Sequence, residues 1–182
     1  MTYELATMSY FAMSSLARSP GISYTALVPD KNSIPGSDVV ALQEQLLEIC
    51  DRNGLDLVYS FGSRGRELKD YLNGFAALDK NNLSDVDIGV RLSTTRATMS
   101  VREKVQVAAE MEELLGVERV DLVILQEADP FLSANIVRGE RIFSRDPYMA
   151  DEYELYILRR AGDLAPLEHE RLSMVFTKAG RY

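Results

Sequence analysis

The sequence predicts an α/β or α+β fold, in which a β-sheet is flanked by helices. Short segments in which every second residue is apolar alternate along the chain with longer segments in which apolar residues recur at helical spacing. The sequence has neither an internal repeat nor a low-complexity tract. Because strands and helices that alternate in this way pack as layers around one core, we expect a single α/β-type domain.

The first half of this domain is predicted to be helix, strand, helix. The opening helix runs from Ser37-Asp38, which suit a helix start, to Asn53-Gly54, which suit a helix end. Alternation over 55–61 predicts the first strand. After a Gly62-Ser63 turn, we expect a helix from Arg64 to about Ala77 and then a loop over 79–82.

The second half continues the alternation. A strand opens at Asp85, and a loop rich in serine and threonine covers 91–100. An amphipathic helix is predicted from Val101 to Leu115, and an aliphatic strand from Val117 to Leu125. The remaining predictions are a helix from 129 to 139, a strand over 141–144, and two tail helices between 148 and 178 that are broken near 162–166.

Three segments follow from this order. Residues 1–36 contain several prolines and glycines without a long apolar period, and they are predicted to be an N-terminal extension. Residues 37–146 are predicted to form the globular domain that carries the candidate site, and residues 147–182 a C-terminal helical tail. A chain of 182 residues is long enough to bury a substantial core.

The composition excludes several classes of protein. A formal net charge of −8 argues against broad nucleic-acid binding. The single cysteine, Cys50, excludes an internal disulfide, and with the single His169 it excludes a zinc site built on clustered Cys and His. No segment is apolar enough to predict a membrane span, and Glu4 stands where a signal peptide needs positive charge. We therefore expect a cytoplasmic protein, with homo-oligomerisation left open.

Two aspartates at the start of the second strand are the main candidates for chemistry. Asp85 and Asp87 share one side of the strand, whereas Val86, Ile88 and Val90 share the other. Two carboxylates held this close repel each other unless a cation lies between them. A hard divalent ion bound through oxygen, most naturally Mg²⁺, would supply that charge.

Asp121 is a third candidate because it interrupts an aliphatic strand. A carboxylate there is costly to bury unless it is paired or bound to a metal. If its strand lies beside that of Asp85 and Asp87, the three carboxylates converge. Such a group suits two metal ions that clamp the attacking and leaving oxygens in phosphoryl or nucleotidyl transfer.

The Gly62-Ser63 turn is a candidate phosphate site. Glycine lets the backbone approach a ligand, and the amides at the start of the next helix point at an anion. The Ser63 hydroxyl can donate to a phosphate oxygen, and Arg64 and Arg66 can neutralise a triphosphate.

Each feature also has a simpler interpretation. Gly-Ser is common in turns, Asp-x-Asp is common on solvated strand edges, and the arginines could be ordinary surface charge. Asp121 could merely form a salt bridge with Arg119. The order of the features is what favours a site: strand, Gly-Ser, helix, strand with Asp-x-Asp, helix, strand with Asp.

Four motifs follow one another along the chain: F-G-S-R-G-R, S-D-V-D-I-G-V, V-D-L-V-I-L and A-D-P-F-L-S-A-N-I-V-R-G-E-R-I-F-S-R-D. Together they resemble the motifs of the minimal nucleotidyltransferases, which are the MNT or MntA-like antitoxins of the DNA polymerase β-like superfamily. The resemblance covers about Leu55 to Asp146. It implies a small mixed sheet of the polymerase β-like fold, with C-terminal helices. It also implies that Gly62 and Ser63 bind nucleotide phosphates and that Asp85, Asp87 and Asp121 hold Mg²⁺, with Asp121 helping to activate the acceptor.

The same resemblance implies an activity and a partner. The activity is Mg²⁺-dependent transfer of AMP from ATP to a hydroxyl of a partner protein, the partner being a HEPN-like toxin. Two alternatives stay open: a catalytically silent module that neutralises its partner by occlusion, and a nucleotidyltransferase for a small molecule such as an aminoglycoside.

The spacer between the two main motifs departs from the family pattern. Residues 64–84 are about twice as long as the usual spacer, and we expect the extra residues to lengthen the helix after the turn. The acceptor pocket and the partner surface are where this departure matters.

Overall fold

The computed structural model describes residues 36–79, 82 and 84–179, with side chains over 38–175 of these ranges. The predicted extension over 1–36 therefore lies outside the described residues, apart from Gly36. Along the chain the elements are α1 (Gly36–Asn53), β1 (Leu55–Phe61), a 3₁₀ turn (Gly62–Arg64), α2 (Gly65–Leu72), β2 (Val86–Leu92), α3 (Val101–Leu115), β3 (Val120–Ile124), α4 (Pro130–Val137), β4 (Glu140–Ser144) and α5 (Pro147–Ala179).

The strands form one four-stranded sheet in the order β3-β2-β1-β4. The central strand β1 is antiparallel to both β2 and β4, whereas β2 and β3 are parallel. A parallel pair needs a crossover connection, and α3 provides it between β2 and β3. The predicted small mixed sheet flanked by helices is confirmed.

Each face of the sheet is covered by its own helices. On one face, Val86, Ile88 and Val90 of β2 pack with buried residues of α1, α2 and α3, such as Cys50 and Met111. The opposite face packs against α4 and α5, whose buried apolar residues are Ala134, Ile136, Val137, Ala150, Ile157 and Ala161. Strands buried on both faces read as nearly continuous apolar runs, as β1 does.

The β1 strand has the predicted limits, but the alternation is not regular along its whole length. Leu57, Tyr59 and Phe61 pack toward α4 and α5, whereas Leu55 packs with Val58 on the other face. The register with β2 shifts between Leu55 and Leu57, and such an irregularity moves the residue beyond it to the opposite face.

The expectation that the long spacer lengthens the helix after the turn is wrong. Helix α2 ends at Leu72, five residues before the predicted Ala77. Gly74 follows with φ of +75°, a conformation that ends helices, and a Cβ there would lie 2.5 Å from Val39 Cγ2. Beyond Gly74 the Phe75 side chain is exposed and the Leu78 side chain is buried in the core, so residues 73–79 form an anchored, non-helical connection rather than further helix.

The prediction of two tail helices is also wrong, because α5 is one helix of 33 residues with Pro166 inside it. A proline removes one backbone hydrogen bond and crowds the carbonyl of the residue four positions earlier, which is Gly162. Among the described residues, nothing outside the neighbouring backbone of α5 lies within 4 Å of the Cβ position of Gly162, so no other element restricts the helix there. The helix therefore continues through the predicted break.

The first half of α5 carries its contacts with the sheet. The Tyr59 hydroxyl donates to Glu154 Oε1 at 3.0 Å, and the Arg91 guanidinium lies 4.6 Å from the centre of the Tyr153 ring. From 162 to 175, none of the described side chains is buried. Within the described part of the chain, no helix combines the length and apolarity that a membrane span requires.

Candidate active site

The three predicted acids come together at the end of the β2–β3 pair where both strands begin. Asp87 and Asp121 are direct partners in the parallel register. Val86 and Val120, which precede them, are also partners, and both pack into the α1–α3 core. Because side chains alternate along a strand, Asp87 and Asp121 point to the opposite face. Asp85 lies immediately before β2 and two residues from Asp87, and so completes the group.

The Gly62-Ser63 turn packs directly against this group. Phe61, the last residue of β1, pairs with Asp87, so the turn begins beside the acids. Gly62 has φ of +69°, which disfavours any residue with a side chain. A Cβ at Gly62 would lie 2.1 Å from Asp87 Oδ2. The glycine is therefore required both by its backbone and by the closeness of the carboxylate.

The acids interact electrostatically. Burial, and then the charges of Asp121 and Asp85, raise the pKa of the Asp87 carboxyl above its ordinary value. A group whose charged form is disfavoured in this way gains most from a nearby cation. The donor set consists of carboxylate oxygens, the ligands that Mg²⁺ prefers.

Arg119 supplies positive charge to this group. Its Nη2 lies 3.0 Å and its Nε 3.1 Å from Asp121 Oδ1, while its Nη1 lies 3.5 Å from Asp85 Oδ2. The salt bridge to Asp121, which the sequence left as a simpler interpretation, is therefore present. The additional contact with Asp85 was missed. Its only sequence signal is an arginine two residues before Asp121, on the same side of the chain.

With Arg119 in this position, the carboxylates are not arranged as a ligand shell. Over the described residues, no group of three or more Asp, Glu, His or Cys side chains is placed to hold a metal ion. The residues still fit a divalent ion by donor type and by location. Loss of the Arg119 ion pairs with Asp85 and Asp121 is the change that an ion would require.

The two arginines of the turn have different environments. Arg64 is 2% exposed; its guanidinium donates to both carboxylate oxygens of Glu67 and to the backbone carbonyls of Asp79 and Ser84. These bonds fasten the α2–β2 connection to the turn and direct the guanidinium inward. Ser63 and Arg66, in contrast, are exposed beside Gly62. The geometry thus gives Arg64 a structural role and leaves Ser63 and Arg66 accessible to a ligand.

A mixed sheet with one acid on a strand, another immediately before that strand, a third on its parallel neighbour and a Gly-Ser turn beside them defines the nucleotidyltransferase class of fold. The family described as polymerase beta, nucleotidyltransferase matches residues 44–148, more than half of the 182 residues. The chain belongs to this family, which confirms the resemblance. No curated protein matches its sequence.

Solved structures with this fold include chains from toxin–antitoxin complexes. A toxin–antitoxin structure with AMP-PNP has a TM-score of 0.57 and 19% identity over 74% of this chain and 98% of that chain. The MntA–HepT toxin–antitoxin structure has a TM-score of 0.54 and 18% identity over 75% of this chain and 98% of that chain. The structure of a tri-AMPylated Shewanella oneidensis HEPN toxin in complex with MNT antitoxin has a TM-score of 0.51 and 20% identity over 78% of this chain and 98% of that chain. At these identities the likeness concerns the fold.

Proposed function

We propose that this protein is a Mg²⁺-dependent nucleotidyltransferase that moves AMP from ATP to a hydroxyl of a partner protein, as the antitoxin of a HEPN/MNT-type pair. The observation that carries the proposal is the meeting of Asp85, Asp87 and Asp121 beside the Gly62 turn. The partner class is supported by the toxin–antitoxin complexes that share the fold. The nucleotide is supported by the AMP-PNP structure among them.

Each residue has a role in the proposed reaction. The backbone at Gly62 and the hydroxyl of Ser63 bind the phosphates, and Arg66 neutralises part of their charge. Asp85, Asp87 and Asp121 hold the metal, and Asp121 helps to take the proton of the acceptor hydroxyl. Two bound Mg²⁺ ions would supply charge neutralisation at the reacting phosphate. The contribution of Arg64 is to hold the α2–β2 connection against the turn.

The bonds balance as a displacement at phosphorus. The acceptor oxygen forms a bond to the α-phosphorus of ATP, the bond from that phosphorus to the β-phosphate bridging oxygen breaks, and pyrophosphate leaves. Most of the catalysis is positioning and electrostatic stabilisation of the charge that develops on the phosphate oxygens.

Transfer from α-labelled ATP to a HEPN-type partner tests this proposal. The Asp87→Asn variant should lose at least about a hundredfold in transfer rate, because it removes a charged ligand whose environment favours a cation. Asp163→Asn is the matched control, since Asp163 is exposed on α5 beyond its last buried residue. It should label the partner like the unchanged protein. Labelling by Asp87→Asn at the unchanged rate would refute the proposed chemistry.

The silent antitoxin is a second candidate because Arg119 already neutralises two of the acids. Such a protein would bind its partner and suppress it without ATP. The labelling experiment separates the two functions when partner binding is measured alongside. Tight binding without any label, in the presence of ATP and Mg²⁺, would favour occlusion.

A further inference from the structure

Arg119 bridges acids that come from two different segments of the chain. Asp85 precedes β2, and Asp121 lies on β3, so the guanidinium spans the junction at which the metal is proposed to bind. The backbone carbonyl of Arg119 accepts a hydrogen bond from the Val86 N–H at 3.2 Å. The origin of the side chain is therefore fixed beside the acids.

The guanidinium itself is held only lightly. Its side chain is 65% exposed, and its hydrogen bonds and ion pairs within the described residues are those to Asp85 and Asp121. Arg64, in contrast, is enclosed, with several backbone and carboxylate acceptors. Exposed ion pairs are weak, so a divalent cation can outcompete Arg119, whereas Arg64 is fixed.

A recess that Arg64 also lines lies next to Arg119. It lies between the segment leading into β2 and the segment leading into β3, and it is lined in part by Ser84, Asp85, Val117, Glu118 and Arg119. Glu118 is exposed and lines this recess beside Arg119. Arg119 therefore borders open space and a further acidic residue besides Asp85 and Asp121.

From these contacts we infer that Arg119 is an internal counter-ion that occupies the acids in the metal-free protein, is displaced when a divalent cation binds, and thereby sets the metal affinity of the site. The inference rests on the proposed metal site but not on the proposed acceptor or on transfer. Without a cation, Arg119 offsets the repulsion among carboxylates held together by the sheet. Binding of the ion must break its two ion pairs, so Arg119 lowers the affinity for the metal.

Binding of Mn²⁺ alone to the full chain, measured by electron paramagnetic resonance without nucleotide or partner, tests this inference. Arg119→Gln should bind Mn²⁺ roughly fivefold more tightly than the unchanged protein, because two exposed ion pairs no longer compete. Arg119→Lys keeps the charge and should stay close to the unchanged affinity. Arg102→Gln removes an exposed charge from the first turn of α3, at the helix end far from Asp121, and should not alter it.

Thermal melting provides the second measurement and checks folding. The rise in melting temperature from EDTA to saturating Mn²⁺ should be larger for Arg119→Gln than for the unchanged protein, since tighter binding to the folded state stabilises it more. Equal or weaker Mn²⁺ affinity in Arg119→Gln would overturn the inference. Failure of every variant to bind Mn²⁺ would overturn the metal site itself, and loss of transfer with intact Mn²⁺ binding would overturn only the proposed reaction.

Discussion

At the scale of single residues, the site depends on how closely Gly62 and Asp87 approach each other. A strand end in β1 and a carboxylate on β2 meet with no room for a side chain between them. The sequence could indicate this glycine because a Gly-Ser turn after a strand is a recognisable signal. It could not indicate that the atom opposite the glycine is a carboxylate oxygen, since that depends on strand pairing.

Replacement of this glycine is expected to disturb the site more than the fold. Gly62→Ala should lower the free energy of unfolding by about 1–2 kcal/mol, the cost of placing a non-glycine residue at positive φ. It should also weaken Mn²⁺ binding at least tenfold, because the new Cβ forces the Asp87 carboxylate to rotate away. Urea denaturation and Mn²⁺ titration of the same sample measure both effects.

Gly162→Ala is the matched control for this variant. In the part of the chain that the structure describes, nothing outside the neighbouring backbone of α5 lies within 4 Å of its Cβ position, and alanine is preferred to glycine within a helix by about 1 kcal/mol. It should raise stability slightly and leave Mn²⁺ binding unchanged. Unchanged Mn²⁺ affinity in Gly62→Ala would show that the turn is not coupled to Asp87.

At the scale of elements, the α2–β2 connection is positioned by buried charge rather than by helix. Arg64 reaches from the turn to the carbonyls of Asp79 and Ser84, and Glu67 accepts from the backbone N–H of Asp79 at 2.8 Å. The length of the spacer predicted a longer α2, whereas Gly74, a residue typical of helix ends, marks the actual end two residues after Leu72. The sequence predicts the same arginine as a phosphate ligand, and its burial could not be read from its neighbours.

This arrangement predicts a pH-dependent stability. The hydrogen bonds from Arg64, and further the bond from the Asp79 backbone, hold the pKa of the Glu67 carboxyl below its ordinary 4.5. The folded pKa is lower than the unfolded pKa, so the stabilisation is complete above about pH 4.5 and is lost as the pH falls through the lower, folded value. Glu67→Gln should therefore reduce the free energy of unfolding by about 1–2 kcal/mol at pH 7, because it leaves the Arg64 charge less well compensated.

Urea denaturation at pH 7 and at pH 3 measures this contribution. The difference between Glu67→Gln and the unchanged protein should shrink at the lower pH. Glu168→Gln is the control, since Glu168 pairs with an exposed Arg171 at the same sequence separation and its loss should lower the free energy of unfolding far less than Glu67→Gln does. A difference for Glu67→Gln that is the same at both pH values would contradict the role assigned to the pair.

At the scale of the whole molecule, local signals predicted the elements well and long-range arrangement poorly. Helix α3 has the predicted limits because Ser100 and Glu103 form a capping box and Gly116 ends the helix with φ of +62°. The limits of β1 also match, whereas its register shift could be found only from the pairing with β2. The tail was misjudged because a proline usually ends a helix, and α5 continues through Pro166.

In the candidate site, too, local features could be predicted from the sequence and long-range contacts could not. Three acids and a Gly-Ser turn could be chosen from the sequence because their spacing on strands is local, and their roles remain predictions. The pairing of Asp87 with Asp121 requires β2 and β3 to be parallel neighbours, and the bridge from Arg119 to Asp85 requires side-chain placement. Neither is encoded in any short motif.

A crystal structure of the protein grown with Mn²⁺ and a non-hydrolysable ATP analogue tests the central claim most directly. Anomalous scattering from Mn²⁺ should appear between the carboxylates of Asp85, Asp87 and Asp121, with the analogue's phosphates at Gly62 and Ser63 and with Arg119 turned away from Asp121. Clear nucleotide density at another location, or Mn²⁺ absent from the acids while Arg119 still bridges them, would contradict the account.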